Sequence, residues 1–387
     1  MYARAKKSQL QPGIFPSGRL HYLVKAACAS EDIESDWQAY HHALANDYPN
    51  EGELRIFPLI ADRLGEVTEH TPLIKHLNSS RRWARMQTMI NRQLAIQTGE
   101  AFKNAGIPLM WTKGHALVRR VDNRPELRPS SDIDGIIKWE NVDQIGKLAD
   151  QLGWKSKFLL VKNRQIAWFR NSEMSFHVGN SGLVDLSWQP RMPFTFDPFV
   201  NDWIWQHANP AVDAQGIPFA NDTWLLLETI EHGLRANSVY PIRWLVDAVR
   251  LIERRHRSID WDMLEDIAKR YKLQLVLGTG LTEISKYSTL VPDQILENLS
   301  NFRPTAMDRE EHRARTFAPD NNEGHTVSFK INQLRRAPFS VYRKSPLNPI
   351  GQRGLLSPLS RGKIALLNIL ARLTTPFVQL ITLLQRD

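Results

Sequence analysis

Cysteine is almost missing from this sequence: Cys28 is the only one in 387 residues. A single thiol makes no intramolecular disulfide and argues against a thiolate metal centre, which fits a reducing, cytoplasmic setting. Long apolar runs are missing too. The N-terminal stretch MYARAKKSQLQPGIFPSGRL is basic and lacks the apolar core of about 7–15 residues that a secretory signal needs, so none is expected. Acid is missing from one long region: residues 324–386 hold ten Lys or Arg and no Asp or Glu. The net charge of +9 arises there, and the remainder is close to neutral. A nucleic-acid partner is therefore not favoured for the rest of the chain. No internal repeat is present, and 42% hydrophobic with 24% charged residues is ordinary for a globular protein of two or three domains.

What the chain does contain is a change of period along its length. Residues 1–104 read as helical, with Ser79 and Ser80 predicted to cap a helix through Trp83, Met86, Ile90 and Leu94 that stops before Gly106. Residues 107–112 are a short apolar run suited to a buried strand, broken by Gly114, and Ala116, Leu117 and Val118 open a new helix or turn. Residues 132–137 form a second strand, Asn141 is predicted to cap a helix over 142–152, and Gly153 ends it. Residues 174–178 and 183–188 read as a hairpin around a four-residue loop. In that register Asp185 stands opposite Phe176 and His177 opposite Val184, on the other face, which argues against a shared site.

From Asp222 the period is helical. Asp222 is expected to cap TWLLLETIEHGLRA, Pro241 to open IRWLVDAVRLIERR, and Asp260 to cap WDMLEDIAKRY. His232 and Asp247 then fall on successive helices, where a helix-to-helix polar contact is the plainer explanation. The fold expected is α+β: a helical region over 1–104, a mixed core over 105–200, a helical lobe over 201–300, and a basic, partly disordered extension over 301–387.

The chemistry-bearing signal is Asp132-Ile-Asp134. Side chains alternate along a strand, so these two carboxylates share one face about 6–7 Å apart. A DxD alone also fits an exposed strand end or a turn cap. A third acid, Asp185, is embedded in the apolar run Leu183-Val-Asp-Leu-Ser-Trp188, and a buried carboxylate is costly unless it is paired or bound to metal. Three carboxylates on neighbouring strands are a hard oxygen set that suits Mg²⁺, with room for two ions. At Thr112-Lys113-Gly114-His115 a glycine lets backbone approach a ligand, and amides at a helix start attract phosphate. Together these describe phosphoryl-transfer machinery.

The order Lys113-Gly114, Arg128-Pro129, Asp132-Ile133-Asp134, Asp185 before Trp188, then His232 and Ile242-Arg-Trp-Leu-Val-Asp247 resembles the uncharacterised bacterial nucleotidyltransferases of the polymerase-β-like superfamily. The likeness covers roughly residues 80–290. It implies a small mixed sheet with helices and transfer of a nucleoside monophosphate from a nucleoside triphosphate to an acceptor with Mg²⁺. It also implies that Asp132 and Asp134 hold the metals and that Asp185 binds the second metal or helps deprotonate the acceptor. Gly114 with the backbone at His115 would cradle the β and γ phosphates, and Lys113 or Arg128 would neutralise the triphosphate. The chain departs from the pattern at His115, where the superfamily usually has serine or glycine, and at Ser187, where histidine is frequent.

The acceptor is not legible: a small molecule, a peptide and a protein all fit. Other readings are a non-catalytic nucleotide- or RNA-binding protein of the same fold, or a membrane-surface adaptor. The last rests on RGKIALLNILARLTTPFVQLITLLQRD, where an amphipathic helix near 361–386 suits peripheral contact with anionic lipid, while Arg372 and Pro376 disfavour a membrane span.

Overall fold

The computed structural model describes residues 15–312 apart from 17, 30, 67, 157–172, 180–181, 189–197, 235–241, 307 and 310–311. The basic stretch 324–386 and its amphipathic pattern lie outside the described residues, among which no helix is long and apolar enough to cross a membrane. The chain folds as two compact units, each drawn from separated parts of the sequence. One takes in the described residues up to Gln93, Thr112–Ser131, and the described residues from Phe219 onward. The other takes in the described residues of Leu94–Trp111 and Asp132–Pro218.

The second unit carries the sheet. Its strands are β1 (Leu109–Thr112), β2 (Ile133–Ile137), β3 (Lys155–Ser156), β4 (Glu173–Val178), β5 (Gly182–Ser187), β6 (Asn209–Val212) and β7 (Pro218–Phe219). Among the described residues they run in the order β3-β4-β5-β2-β1-β7-β6. β2 and β5 are parallel, while β4 is antiparallel to both β3 and β5, so the sheet is mixed and the fold α+β as the sequence indicates. Every residue of β1 and β2 is buried, the near-continuous apolar pattern of central strands. Between β2 and its parallel partner the chain forms the helix Val142–Gln151, which buries Val142, Ile145, Leu148 and Ala149 along one stripe. Gly135 is required by packing: a Cβ there would lie 2.6 Å from Leu109 Cδ1 and 3.2 Å from Leu186 Cδ2. The β6–β7 turn is tied by Asp213, whose carboxylate accepts from Gln215 N, Ile217 N and Trp111 Nε1 at 2.9, 2.8 and 2.6 Å.

The hairpin register differs from the sequence expectation by one residue. Gly182 itself pairs with Val178, shortening the connection, so Asp185 stands opposite Ser175 and His177 opposite Leu183. His177 and Asp185 therefore share a face, although His177 is exposed. The helix expected to start at Ser79 or Ser80 instead runs Ile74–Asn104, because the apolar stripe continues back through the fully buried Leu77.

The first unit is helical. Asn221, and not Asp222, caps the helix Asp222–Gly233, accepting from Trp224 N. Asp222 is buried and receives the fork of Arg120 at 2.7 and 2.7 Å. Asp260 caps Trp261–Arg270 as expected, accepting from Met263 N. The helix expected to open at Pro241 is described from Arg243 to Arg255. A Cβ on Gly233 would collide with the Trp244 side chain, so that glycine lets this helix pack closely on Asp222–Gly233.

Candidate functional site

Parallel pairing builds the acidic cluster. β2 and β5 place Asp134 directly beside Asp185, and side-by-side residues of paired strands point the same way. Asp132 lies two residues before Asp134 and so returns to that face, just ahead of the strand. Each of Asp132, Asp134 and Asp185 offers a carboxylate oxygen, and these lie within 4.8 Å of one another. Asp134 is buried at 6% exposure, and the other two are half-buried. Three like charges this close repel strongly where solvent is partly excluded, and a divalent cation reverses the sign of that interaction. An all-oxygen, all-anionic donor set fits Mg²⁺ or Mn²⁺ and does not fit a soft metal. Ser187, where a histidine is frequent in the resembled family, is buried and donates to Gly135 O at 3.4 Å.

The turn Lys113-Gly114-His115 belongs to the other compact unit and is built differently. β1 gives way directly to the helix Lys113–Val121, and Lys113 takes φ +43°, a left-handed value that is costly for a residue with a Cβ. Arg128 lies against Gly114: a Cβ on that glycine would collide with Nη1, so glycine is needed here to seat a guanidinium. The other nitrogens of Arg128 grip Asp247, with Nε at 2.9 and 3.0 Å and Nη2 at 2.8 Å from its carboxylate oxygens. Asp247 thus meets the arginine of the loop that precedes β2, and His232 is exposed. Arg243, one turn earlier, donates to Pro129 O at 2.7 Å and braces the same loop. His115 is half-buried, its ring centroid 6.2 Å from that of Phe219.

Glu228 was not singled out by the sequence reading. It sits in the helix Asp222–Gly233 at 6% exposure, and its Oε2 accepts from Thr112 Oγ1 at 2.5 Å and from the Lys113 backbone N–H at 3.2 Å. Burial pushes its carboxyl above the ordinary range, against the opposing pull of the Lys113 charge and of these two hydrogen bonds. The signal was present in the sequence as one acid inside Trp-Leu-Leu-Leu-Glu-Thr-Ile, and the helical period alone assigned it no partner.

The family model for uncharacterised nucleotidyltransferases matches residues 52–287. No curated protein and no solved structure matches the chain.

Proposed function

Because the chain belongs to the uncharacterised nucleotidyltransferase family, and is thus an enzyme of nucleotidyl transfer, we propose that it uses Mg²⁺ to move a nucleoside monophosphate from a nucleoside triphosphate to an acceptor hydroxyl. The observation that carries this reading is the cluster of Asp132, Asp134 and Asp185, with oxygens within 4.8 Å on adjacent parallel strands. Bound there, two Mg²⁺ ions would polarise the triphosphate and activate the acceptor oxygen. Asp132 and Asp134 would hold the cations, and Asp185 would share the second or take the acceptor's proton. The acceptor oxygen forms a bond to the α-phosphorus as the bond to the bridging oxygen breaks, and that electron pair leaves with pyrophosphate.

Lys113, Gly114, His115 and Arg128 are assigned to the triphosphate. In support, Gly114 and His115 lie in the first turn of a nine-residue helix, the end whose dipole attracts anions. Arg128 is held from behind by Asp247, which fixes the guanidinium without a long flexible reach. The acceptor class is a small molecule, a peptide or a protein.

Mn²⁺, read by electron paramagnetic resonance, tests the cluster directly. The wild type is expected to bind about two ions in the presence of nucleotide, and Asp132→Ala to lose at least one. Full retention of Mn²⁺ by Asp132→Ala would overturn the assignment.

A further inference from the structure

The turn at Lys113 is strained, and one buried side chain is placed to hold it. Lys113 carries a Cβ at φ +43°, a region that glycine enters freely and lysine does not. The helix that follows begins without a side-chain cap: Thr112 is the N-cap residue and makes no side-chain capping bond. Its hydroxyl is directed instead to Glu228 Oε2 at 2.5 Å, and the Lys113 N–H donates to the same oxygen at 3.2 Å. One carboxylate oxygen therefore receives two donors from consecutive residues across the strand-to-helix turn. The other, Oε1, is buried and has no hydrogen-bond partner among the described residues. A buried carboxylate kept with an unsatisfied oxygen is costly, so its retention asks for a function beyond packing.

We propose that Glu228 is a positioning residue: by accepting from Thr112 Oγ1 and Lys113 N it locks the left-handed turn and thereby aims the Gly114 and His115 amides at the triphosphate. The inference rests on the nucleotidyltransferase reading and deepens it. Glu228 touches neither substrate nor metal in this role. It acts through the backbone of Lys113, 115 residues away in sequence. Its acceptor oxygen, more than its charge, is what the turn requires.

The test compares Glu228→Gln, which keeps an acceptor oxygen, with Glu228→Leu, which keeps volume and removes it. Each is made in the wild type and in Lys113→Gly, where φ +43° carries no steric cost. Two readouts are taken on the full chain: hydrogen exchange at the Lys113 amide, and calorimetric affinity for each nucleoside triphosphate with Mg²⁺. Glu228→Leu is expected to deprotect the Lys113 amide and to weaken nucleotide binding about tenfold or more, the scale of loss when a binding group is misplaced. Glu228→Gln is expected to preserve both. In the Lys113→Gly background, where a side chain assigned to the triphosphate is also gone, the deprotection of the residue-113 amide caused by Glu228→Leu should shrink.

Unchanged amide protection in Glu228→Leu overturns the proposal, and so does equal damage by Gln and Leu. Should Glu228→Leu fail to fold alone, the double variant with Lys113→Gly decides: it is expected to fold, and its failure would place the role of Glu228 outside the turn and end the proposal. A wild type that binds no triphosphate with Mg²⁺ would sink the nucleotidyltransferase reading, while the exchange measurement still judges the turn.

Discussion

A carboxylate and its surroundings decide one another's charge, and Glu228 shows the consequence most directly. Burial raises its affinity for a proton, Glu231 adds to that, and the Lys113 charge and two hydrogen bonds work against it, with burial the largest cause. A carboxyl raised above its ordinary value of 4.5 binds more protons folded than unfolded, so it lowers stability as pH rises from that value through its folded pKa. Glu228→Gln removes this dependence. The variant is expected to be more stable than wild type at neutral pH, with the difference shrinking as pH falls toward about 4.5, the ordinary carboxylate range. Chemical denaturation across that range checks it, and an advantage that grows on acidification would contradict it. The oxygens of Asp132, Asp134 and Asp185 lie within 4.8 Å of one another, and a cation among them would offset the mutual repulsion of three anions.

Elements put these residues in place, and here the glycines have different duties. Gly135 follows Asp134 on β2 and points the other way, into Leu109 and Leu186. Gly135→Ala is expected to lower unfolding free energy by about 1–3 kcal/mol, the usual cost of overfilling a packed core. A denaturation midpoint measures it, and an unchanged midpoint would show that the strands can move apart. The central features of the cluster were legible in sequence: an alternating DxD inside an apolar run and a lone acid in a second strand are local patterns. The hairpin register was not, because Gly179-Asn-Ser-Gly182 admits a loop of four residues or a shorter one, and only pairing of Gly182 with Val178 decides. Arg128 and Asp247, 119 residues apart, and Thr112 and Glu228, 116 apart, meet through tertiary packing that no period announces. Asp222 misled for a related reason. Asn221 and Asp222 are both good caps, and the demand of Arg120 for a buried partner settles which of them turns inward.

Across the whole molecule, composition separates two kinds of surface. Without residues 324–387 the positive and negative charges balance, so electrostatic attraction of a triphosphate depends on local arrangement and not on net charge. The family match over residues 52–287 includes every residue assigned to metal and phosphate, and it ends well before that basic stretch. On the proposed function, the three carboxylates make nucleotide binding conditional on a divalent cation. Calorimetric titration of the full chain with each of the four nucleoside triphosphates, with and without Mg²⁺, and again with Asp134→Asn, tests it most directly. The expected result is binding of at least one triphosphate that requires Mg²⁺ and is lost in Asp134→Asn. Binding that persists in Asp134→Asn, or that is indifferent to Mg²⁺, would contradict it.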